Sequence, residues 1–300
     1  MPLYIRRLPC TVMTIIDPKS IPDNHVLFNP SYAHPIIYIR GTEHTSTKET
    51  NFALLHNTDT KTNTKVPSPM ELLARTVNLF QGIEDLRICW AKRHDGARRL
   101  WFTGTTTHAS SHMTNELIVG YFNEGLNRVE YLTPVDIGSL PVKNVCPFVW
   151  KDKLHLLDTF KQDVFYVKME DVKGKLHISA VPIKKLVPGK GIPSEGYRGS
   201  TSPVHLHGNT WGCVVHDIIF NDNTKLVTRL SYIHHWMEFD IETGVITFFS
   251  TPFWVAHWGI EYVSGIHYDT KSGEVTLYIG EADRSCVMAR TTLDNLRIGK

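Results

Sequence analysis

The chain has 300 residues, enough to bury a large hydrophobic core without a disulfide or a metal to stabilise it. Its 32 basic and 30 acidic side chains nearly balance, and the formal net charge is +2. The chain therefore lacks the basic excess that drives binding to phosphate backbones, and we expect no nucleic-acid role. The five cysteines include no Cys-x-x-Cys pair, so we expect them to be reduced and buried rather than a disulfide or zinc framework.

The N-terminal segment leads into a short apolar stretch that is interrupted by Asp17 and Pro18. This pattern is typical neither of a signal peptide nor of a membrane span. We expect a cytosolic protein that forms one catalytic domain over residues 1–300. The sequence does not indicate its oligomeric state.

Helical signals are scarce. One amphipathic stretch, 69–77, predicts a helix that Ser68 would cap. Elsewhere the apolar residues form short β-branched or aromatic runs separated by turn residues, which is typical of strands. In chain order the clearest runs are 100–103, 117–122, 164–167, 211–215, 245–249 and 275–279. Their spacing predicts an all-β fold, either a sandwich, a barrel or a propeller.

One recurring arrangement favours the propeller. A strand, a tight turn and a second aromatic strand follow one another at 146–157, at 202–215 and at 263–279. A recurrence of roughly 50–60 residues is what a blade repeat would give, and about five such units fit the length. We therefore predict a five-bladed β-propeller.

Polar residues recur just before the apolar strands, about once in each predicted blade. In a propeller the first strand of each blade lines the central channel, so such residues would converge on one pocket. We predict a substrate site formed by Asn29, Ser31, Arg40, Glu84, Asp85, Arg87, Lys143, Asn144, Arg198, Ser200, His216, His235, Glu261, Asp283 and Arg284.

The local sequence also allows structural roles for these residues. Segment 84–87 could be an exposed turn with a weak salt bridge, and 198–200 could be a surface loop. His216 could be a core histidine, and the pair at 283–284 could be a structural ion pair. The two histidines at 234–235 should split, one facing inward and one outward, because neighbours on a strand face opposite sides.

Several kinds of chemistry have no signal here. There is no Gly-x-Ser-x-Gly elbow, Walker loop or dinucleotide fingerprint, and we predict no cofactor and no metal site. A carboxylate flanked by arginines, with histidines and hydroxyls across a channel, suits proton transfer at a sugar oxygen. Arginine and histidine would then hold a phosphate or diphosphate. Sugar faces could stack on some of the aromatic residues, although we expect most of these in the core: Trp101, Trp236, Phe253, Trp254 and Trp258.

Segment 82–88 resembles the Glu-Asp-Pro-Arg element that carries the catalytic aspartate in a known group of enzymes, except that Leu86 replaces the proline. That group comprises the five-bladed β-propeller mannoside phosphorylases of glycoside hydrolase family 130 and the related mannosyltransferases of glycosyltransferase family 108.

The resemblance is closer to a branch of predicted glycosyltransferases. That branch begins with Asn-Pro-Ser and a downstream arginine, and continues with Lys-Asn, Arg-Gly-Gly-Ser, Val-His-Glu and Tyr-x-His-Arg-Phe elements. The counterparts in this sequence, in the same order, are 29–31 with Arg40, then 143–144, 198–200, 215–217 and 232–236, with a similar ending at 259–265 and 278–284. The match covers essentially the whole chain. It departs from the branch where Asp217 replaces glutamate and His235 stands in place of arginine.

The resemblance implies inverting transfer of a mannose-like sugar from a nucleotide-sugar donor to a glycan acceptor, with Asp85 as the Brønsted group. It implies that the departing diphosphate is neutralised by Arg87, Arg198, His216 and Arg284. It implies that sugar hydroxyls are fixed by Glu84, Asn144, Glu261 and Asp283. No Asp-x-Asp pair is present, which fits a metal-independent site.

Two other hypotheses remain open at this point. The first is phosphorolysis or hydrolysis of a glycoside with Asp85 as the acid, where inverting hydrolysis would need a second carboxylate about 6.5–9.5 Å away. The second is a non-catalytic glycan-binding propeller, which predicts a channel filled by apolar side chains and an Asp85 that is turned to solvent.

Overall fold

A computed structural model describes residues 5–16, 25–44, 49–67, 80–81, 83–107, 115–138, 143–194, 196–221 and 229–299. The helix expected at 69–77, its cap Ser68, and Gly82 lie outside these residues. Within the described ranges nearly every element is a strand, and the one short helix is Leu293–Leu296. The predicted all-β class is confirmed.

The described strands form five sheets that follow one another along the chain. Sheet 1 consists of His25–Ala33, Ile36–His44, Glu49–Asn57 and Thr62–Pro67, with Phe80–Gln81 beside its third strand. Sheet 2 consists of Glu84–Lys92, Arg98–Thr107, Asn115–Phe122 and Val129–Pro134. Sheet 3 consists of Cys146–Trp150, Lys153–Asp158, Asp163–Val172 and Lys175–Lys185.

The last two sheets contain the ends of the chain. In sheet 4 two short segments pair with the long second strand, and the strands are Arg198–Gly199, Val204–His207, Thr210–Asn221, Arg229–Asp240 and Val245–Phe249. Its flanking strands are Val187–Pro188, Phe253–Trp254 and Arg6–Arg7. Sheet 5 consists of Glu261–Tyr268, Glu274–Glu281, Ser285–Thr292 and, from the N-terminal part of the chain, Thr11–Thr14.

The sheets contact one another in a closed cycle. The first strand of sheet 1 contacts the first strands of sheets 2 and 5, and the first strand of sheet 2 contacts that of sheet 3. Sheet 3 contacts sheet 4 at Arg198–Gly199, and sheet 4 contacts sheet 5 at Val204–His207. Such a ring, in which the first strands face the centre, is the arrangement of a β-propeller.

The hydrophobic core is divided among the contacts between neighbouring sheets. Sheets 1 and 2 bury one cluster around Tyr38 and Phe102, and sheets 2 and 3 bury another around Trp101. Similar clusters lie between sheets 3 and 4, between sheets 4 and 5, and between sheets 5 and 1. The apolar faces of neighbouring sheets pack against each other in these clusters. The polar side chains of the inner strands are left to face the axis of the ring.

The structure bears on two sequence predictions, one about the cysteines and one about a membrane span. All five cysteines are free thiols, of which Cys10 and Cys89 are half-buried and the other three are buried. In the part of the chain that is described, no helix has the length and hydrophobicity needed to cross a bilayer.

Candidate functional site

A cavity of about 360 Å³ opens at the end of the ring where the first strands begin. Every sheet contributes to its wall. The lining residues are Val26, Phe28, Asn29, Arg40, Thr42, Asp85, Lys143, Asn144, Arg198, His216, Tyr232, Tyr262 and Asp283. Eight of them are among the fifteen residues that the sequence predicts for the site.

Four of the cavity residues have a left-handed backbone, which Asn and Asp adopt more readily than most residues. They are Asn29 with φ 49°, Asp85 with φ 50°, Asn144 with φ 60° and Asp283 with φ 52°. At Asn29 and Asp85 this conformation coincides with a break in the register of the first strands of sheets 1 and 2. A bulge of this kind re-aims a side chain, and here it turns both side chains into the cavity.

Two residues of sheet 1 donate hydrogen bonds to the carboxylate of Asp85. Its Oδ1 accepts hydrogen bonds from Asn29 Nδ2 at 2.8 Å and from Arg40 Nη1 at 3.1 Å. Its side chain is 27% exposed, and Oδ2 accepts no hydrogen bond from the residues that the structure describes. Leu86, which stands in place of the proline, is buried in the core between sheets 1 and 2. The substitution therefore leaves Asp85 facing the cavity.

Two opposing effects act on the pKa of Asp85. Burial raises it, but the positive charges of Arg40 and Arg87 and the hydrogen bonds from Asn29 and Arg40 together lower it below its usual value. Asp85 is therefore ionised at neutral pH. An ionised carboxylate can accept a proton but has none to donate.

Arg40 forms ion pairs with two acidic residues of sheet 2, Glu84 and Asp85. It lies 3.3 Å from Glu84 Oε1 as well as 3.1 Å from Asp85 Oδ1, and its Nε donates to Asn51 Oδ1 at 3.1 Å. Its guanidinium also lies over the ring of Phe28, 4.8 Å from the centroid. Arg40 lines the cavity as predicted, but its charge is already balanced by carboxylates. These contacts hold Asp85 and leave the charge of Arg40 largely balanced by protein carboxylates.

A second carboxyl group faces the same cavity. Asp283 lies in the turn between the second and third strands of sheet 5 and has a left-handed backbone with φ 52°. Its pKa is raised by burial and by the charge of Asp85, against an opposing effect of Arg40. Two carboxyl groups in one cavity thus have pKa values shifted in opposite directions, an arrangement that assigns base and acid roles in many enzymes.

Two cationic side chains lie on the other side of the cavity. Lys143 and Arg198 stand at the beginnings of sheets 3 and 4, and both are exposed. Neither forms an ion pair with another described residue. Gly199 permits the close packing here, because a Cβ atom at this position would lie 2.2 Å from the carbonyl oxygen of Asn144. These two cations are therefore available to an anionic ligand.

His216 lines the cavity as a neutral group. Its Nδ1 is 2.9 Å from Ser200 Oγ, and its ring meets the edges of Tyr232 and Tyr262 at centroid distances of 5.3 and 5.1 Å. Burial, followed by the positive charges near it, holds its pKa well below the usual value. His216 can exchange hydrogen bonds with a ligand, but the expectation that it contributes positive charge is revised.

Arg87 does not line the cavity. It is completely buried, and its Nε donates to the carbonyl of Ser200 at 2.6 Å. Its Nη1 donates to the carbonyls of Asp85 and Leu86 at 2.9 and 3.3 Å, and its Nη2 donates to the hydroxyl of Tyr262. Because these donors are already used, the prediction that Arg87 binds substrate is revised. It is a positioning residue below the cavity.

Four more of the predicted site residues are buried against protein groups. Ser31 Oγ accepts the N–H of Ile88 at 3.2 Å, and Ser200 bonds His216. His235 Nδ1 lies 3.0 Å from the carbonyl of Ser250, with its ring stacked on a phenylalanine. These side chains fix the polypeptide and do not reach the cavity.

Glu261 is the fourth predicted site residue that is buried against protein groups. Its carboxylate is 1% exposed and accepts the N–H groups of Val255, Ala256 and His257 at 2.7, 2.5 and 2.9 Å. The predicted role in binding sugar hydroxyls is therefore revised to one of holding the loop before sheet 5.

The remaining predicted residues, Glu84 and Arg284, do not line the cavity. Glu84 faces Arg40, and Arg284 is exposed in the turn beside Asp283. The adjacent histidines lie on opposite faces of their strand, with His234 bonded to the N–H of Val263 and His235 to the carbonyl of Ser250. Both are buried, so neither faces outward as one of them was expected to.

Five cavity residues are absent from the predicted set: Val26, Phe28, Thr42, Tyr232 and Tyr262. The alternation of side chains along a strand could have indicated two of them. Thr42 is two residues from Arg40 and shares its face, and Tyr232 is two residues from the inward-facing His234. Tyr262 carries a further role, because its hydroxyl donates to Asn144 Oδ1 at 2.8 Å and accepts from Arg87.

Most of the side chains that line the cavity are polar or charged, with Val26 and Phe28 as its apolar members. The channel below the cavity contains Arg87, Ser200 and the hydroxyl of Tyr262, not the apolar filling that a non-catalytic propeller predicts. No group of three metal-ligating side chains comes together among the residues described.

Comparison with known proteins gives a clear result for the fold. No protein-family model and no curated protein matches the sequence. Among solved structures, the chain is similar to a mannose phosphorylase from Leishmania mexicana in complex with phosphate ion, at 16% identity and a TM-score of 0.55 over 90% of this chain and 85% of that one. It is also similar to a GDP-Man-dependent mannosyltransferase from Leishmania mexicana, at 12% identity and a TM-score of 0.54 over 93% and 88%.

A third similar structure comes from the GH130 family of mannoside phosphorylases, which contains glycoside hydrolases that target β-1,2 mannosidic linkages in Candida mannan. It has 12% identity and a TM-score of 0.51 over 100% of this chain and 93% of that one. The resemblance seen in the sequence is thus confirmed at the level of the fold.

The buried contacts of Arg87 lead to a prediction about stability. Arg87→Met would remove donors from the carbonyls of Ser200 and Asp85 and leave them buried without partners. We expect a loss of about 3–5 kcal/mol in the free energy of unfolding, measured by urea denaturation. The matched control Arg284→Met removes an exposed arginine and should change stability by no more than about 0.5 kcal/mol. Equal effects of the two substitutions would contradict the positioning role.

Proposed function

We propose that the cavity is the active site of a glycan-active enzyme that transfers a mannose-like sugar from a nucleotide-sugar donor to a glycan acceptor, with inversion. The observation that carries this proposal is the ionised carboxylate of Asp85 in one cavity with Lys143 and Arg198, two cations that form no ion pair with the residues that the structure describes. The similarity in fold to a GDP-Man-dependent mannosyltransferase supports it.

The cavity residues would divide the reaction between them. The hydroxyl oxygen of the acceptor attacks the anomeric carbon of the donor, and the bond from that carbon to the diphosphate oxygen breaks. The acceptor proton passes to the Asp85 carboxylate, directly or through an intervening hydroxyl. The diphosphate leaves with the bonding electron pair, and Lys143 and Arg198 would neutralise its charge in place of a metal ion.

The lowered pKa of Asp85 favours this direction of proton transfer. A base must be ionised before the reaction, whereas phosphorolysis with Asp85 as the acid would need it protonated. Arg40 and Asn29 stabilise the ionised form.

Phosphorolysis is the second candidate because Lys143 and Arg198 could hold inorganic phosphate equally well. The mannose phosphorylase of similar fold, in complex with phosphate ion, supports it. In that reaction Asp283, with its raised pKa, would be better suited than Asp85 to donate a proton.

The proposal includes the number of blades. We propose that each of the five sheets is one blade and that the ring is a single five-bladed domain. The support is the presence of one buried hydrophobic cluster between each pair of neighbouring sheets.

Asp85→Asn tests the catalytic assignment. Loss of the proton acceptor should lower kcat/KM by at least about 100-fold, with nucleoside diphosphate release measured from GDP-mannose and a panel of other nucleotide sugars. Asp152→Asn makes the same change at an exposed carboxylate, whose side chain is 84% exposed, and should leave the rate unchanged. A parallel assay with manno-oligosaccharides and phosphate detects sugar 1-phosphate. Full activity of the Asp85 variant in both assays would reject the assignment.

The pH profile distinguishes base from acid. Since the pKa of Asp85 is below its usual value, the ionised form persists as pH falls, and transferase activity should be level from neutral pH down to about pH 5. Initial rates should be measured over this range, with circular dichroism to establish that the protein stays folded. A rate that rises as pH falls would indicate that the reaction requires a protonated carboxyl group in the cavity, at Asp85 or Asp283, and would contradict catalysis by an ionised Asp85 acting as the base.

Neutralising the two cations tests the anion site. Lys143→Gln and Arg198→Gln should each raise KM for the nucleotide sugar by about 10–150-fold, because a hydrogen bond to a charged group contributes about 1.5–3 kcal/mol. Lys175→Gln removes an exposed charge from the outer strand of sheet 3 and serves as the control. If all three variants have the KM of the wild type, the donor phosphates do not bind between Lys143 and Arg198.

A further inference from the structure

Trp258 is the most exposed of the seven tryptophans in the chain. Its side chain is 46% exposed, and the neighbouring Ile260 is 43% exposed. Of the other aromatic residues that the sequence suggests for sugar stacking, Trp101, Trp236 and Phe253 are completely buried. An exposed indole beside another exposed apolar side chain is the kind of surface that contacts a ligand.

The loop that carries Trp258 is attached to the cavity wall at two points. The carbonyl of Gly259 accepts the N–H of Tyr232 at 3.1 Å, and Tyr232 lines the cavity. The carbonyl of Ile260 accepts the N–H of Ala282 at 2.7 Å, next to the cavity residue Asp283. These two hydrogen bonds place the residues directly after Trp258 against the cavity wall, between sheet 4 and the turn of sheet 5.

Side-chain hydrogen bonds of Glu261 and His257 also hold this loop. The buried carboxylate of Glu261 accepts three consecutive backbone N–H groups, at Val255, Ala256 and His257. The ring of His257 is bonded through Nδ1 to Glu281 Oε1 at 2.6 Å. The backbone on both sides of Trp258 is therefore held in place, so the exposed indole is presented on a preorganised loop at little cost in binding entropy.

Sugar rings match this surface. A pyranose has one face of C–H groups that packs on an aromatic ring and a periphery of hydroxyls that hydrogen-bond to carboxyl groups. We propose that Trp258 and Asp283 form an acceptor subsite, in which Trp258 stacks on a pyranose ring of the glycan and Asp283 accepts hydrogen bonds from its hydroxyls. The inference rests on the proposed function, which places the donor phosphates at Lys143 and Arg198.

The test is calorimetric binding of manno-oligosaccharides, which needs no turnover. Trp258→Ala should weaken glycan affinity by about tenfold, equivalent to about 1.4 kcal/mol, while Trp258→Phe, which keeps an aromatic face, should retain most of it. GDP affinity should be the same in both variants and in the wild type.

Val172→Ala is the matched control. Val172 is 51% exposed at the end of the third strand of sheet 3, where antiparallel pairing places it away from the cavity. Its substitution should leave glycan affinity unchanged. If Trp258→Ala binds glycan as tightly as the wild type, the subsite is wrong and the proposed function stands. If the wild type binds GDP but no glycan, the subsite and the glycan acceptor are both wrong.

Discussion

The buried guanidinium of Arg87 connects three sheets and holds the backbone of Asp85 through its carbonyl. Its donors reach the carbonyl of Ser200 in sheet 4, the hydroxyl of Tyr262 in sheet 5 and the carbonyl of Asp85 in its own sheet. A guanidinium can do this because it offers five N–H donors in a planar fork, which an ammonium group does not. The contact with the Asp85 carbonyl supports the left-handed backbone at that residue, and the positive charge helps to keep its carboxylate ionised.

The polar residues of the ring thus form two layers with different functions. The lower layer consists of Arg87, Ser200, Ser31 and Glu261. Their hydrogen bonds to other protein groups, most of them in the backbone, offset the free-energy cost of burying their polar atoms. The upper layer surrounds the cavity and contains carboxylates and cations whose charges are only partly paired with other protein groups. The lower layer fixes the backbone from which the upper layer projects, as a preorganised site requires.

The strands were accessible to prediction from the sequence because their signal is local. Short β-branched and aromatic runs separated by turns such as Lys173-Gly174 and Ser272-Gly273 correspond to strands and turns in the structure. Alternation along one strand also separates His234 from His235 correctly. The polar residues of the inner strands were predicted as a set, since their recurrence is visible without knowledge of any partner.

The assignment of those polar residues to one layer or the other could not be made from the sequence. Arg87 and Ser200 are 113 residues apart, and nothing near Arg87 indicates that a distant carbonyl will use its donor. Glu261 is similar to a ligand-binding acid in its local sequence, yet its partners are backbone N–H groups, which every sequence contains. Tyr262 was missed as a cavity residue for the same reason, because its role depends on Arg87 and Asn144, which come from two other sheets.

The most direct test of the proposed anion site is a crystal structure of the protein with GDP, and another with inorganic phosphate. We expect phosphate oxygens in contact with both Lys143 and Arg198, in the cavity that also contains the Asp85 carboxylate. Ligand bound away from these two side chains, or a cavity in which Asp85 has turned out to solvent, would contradict it.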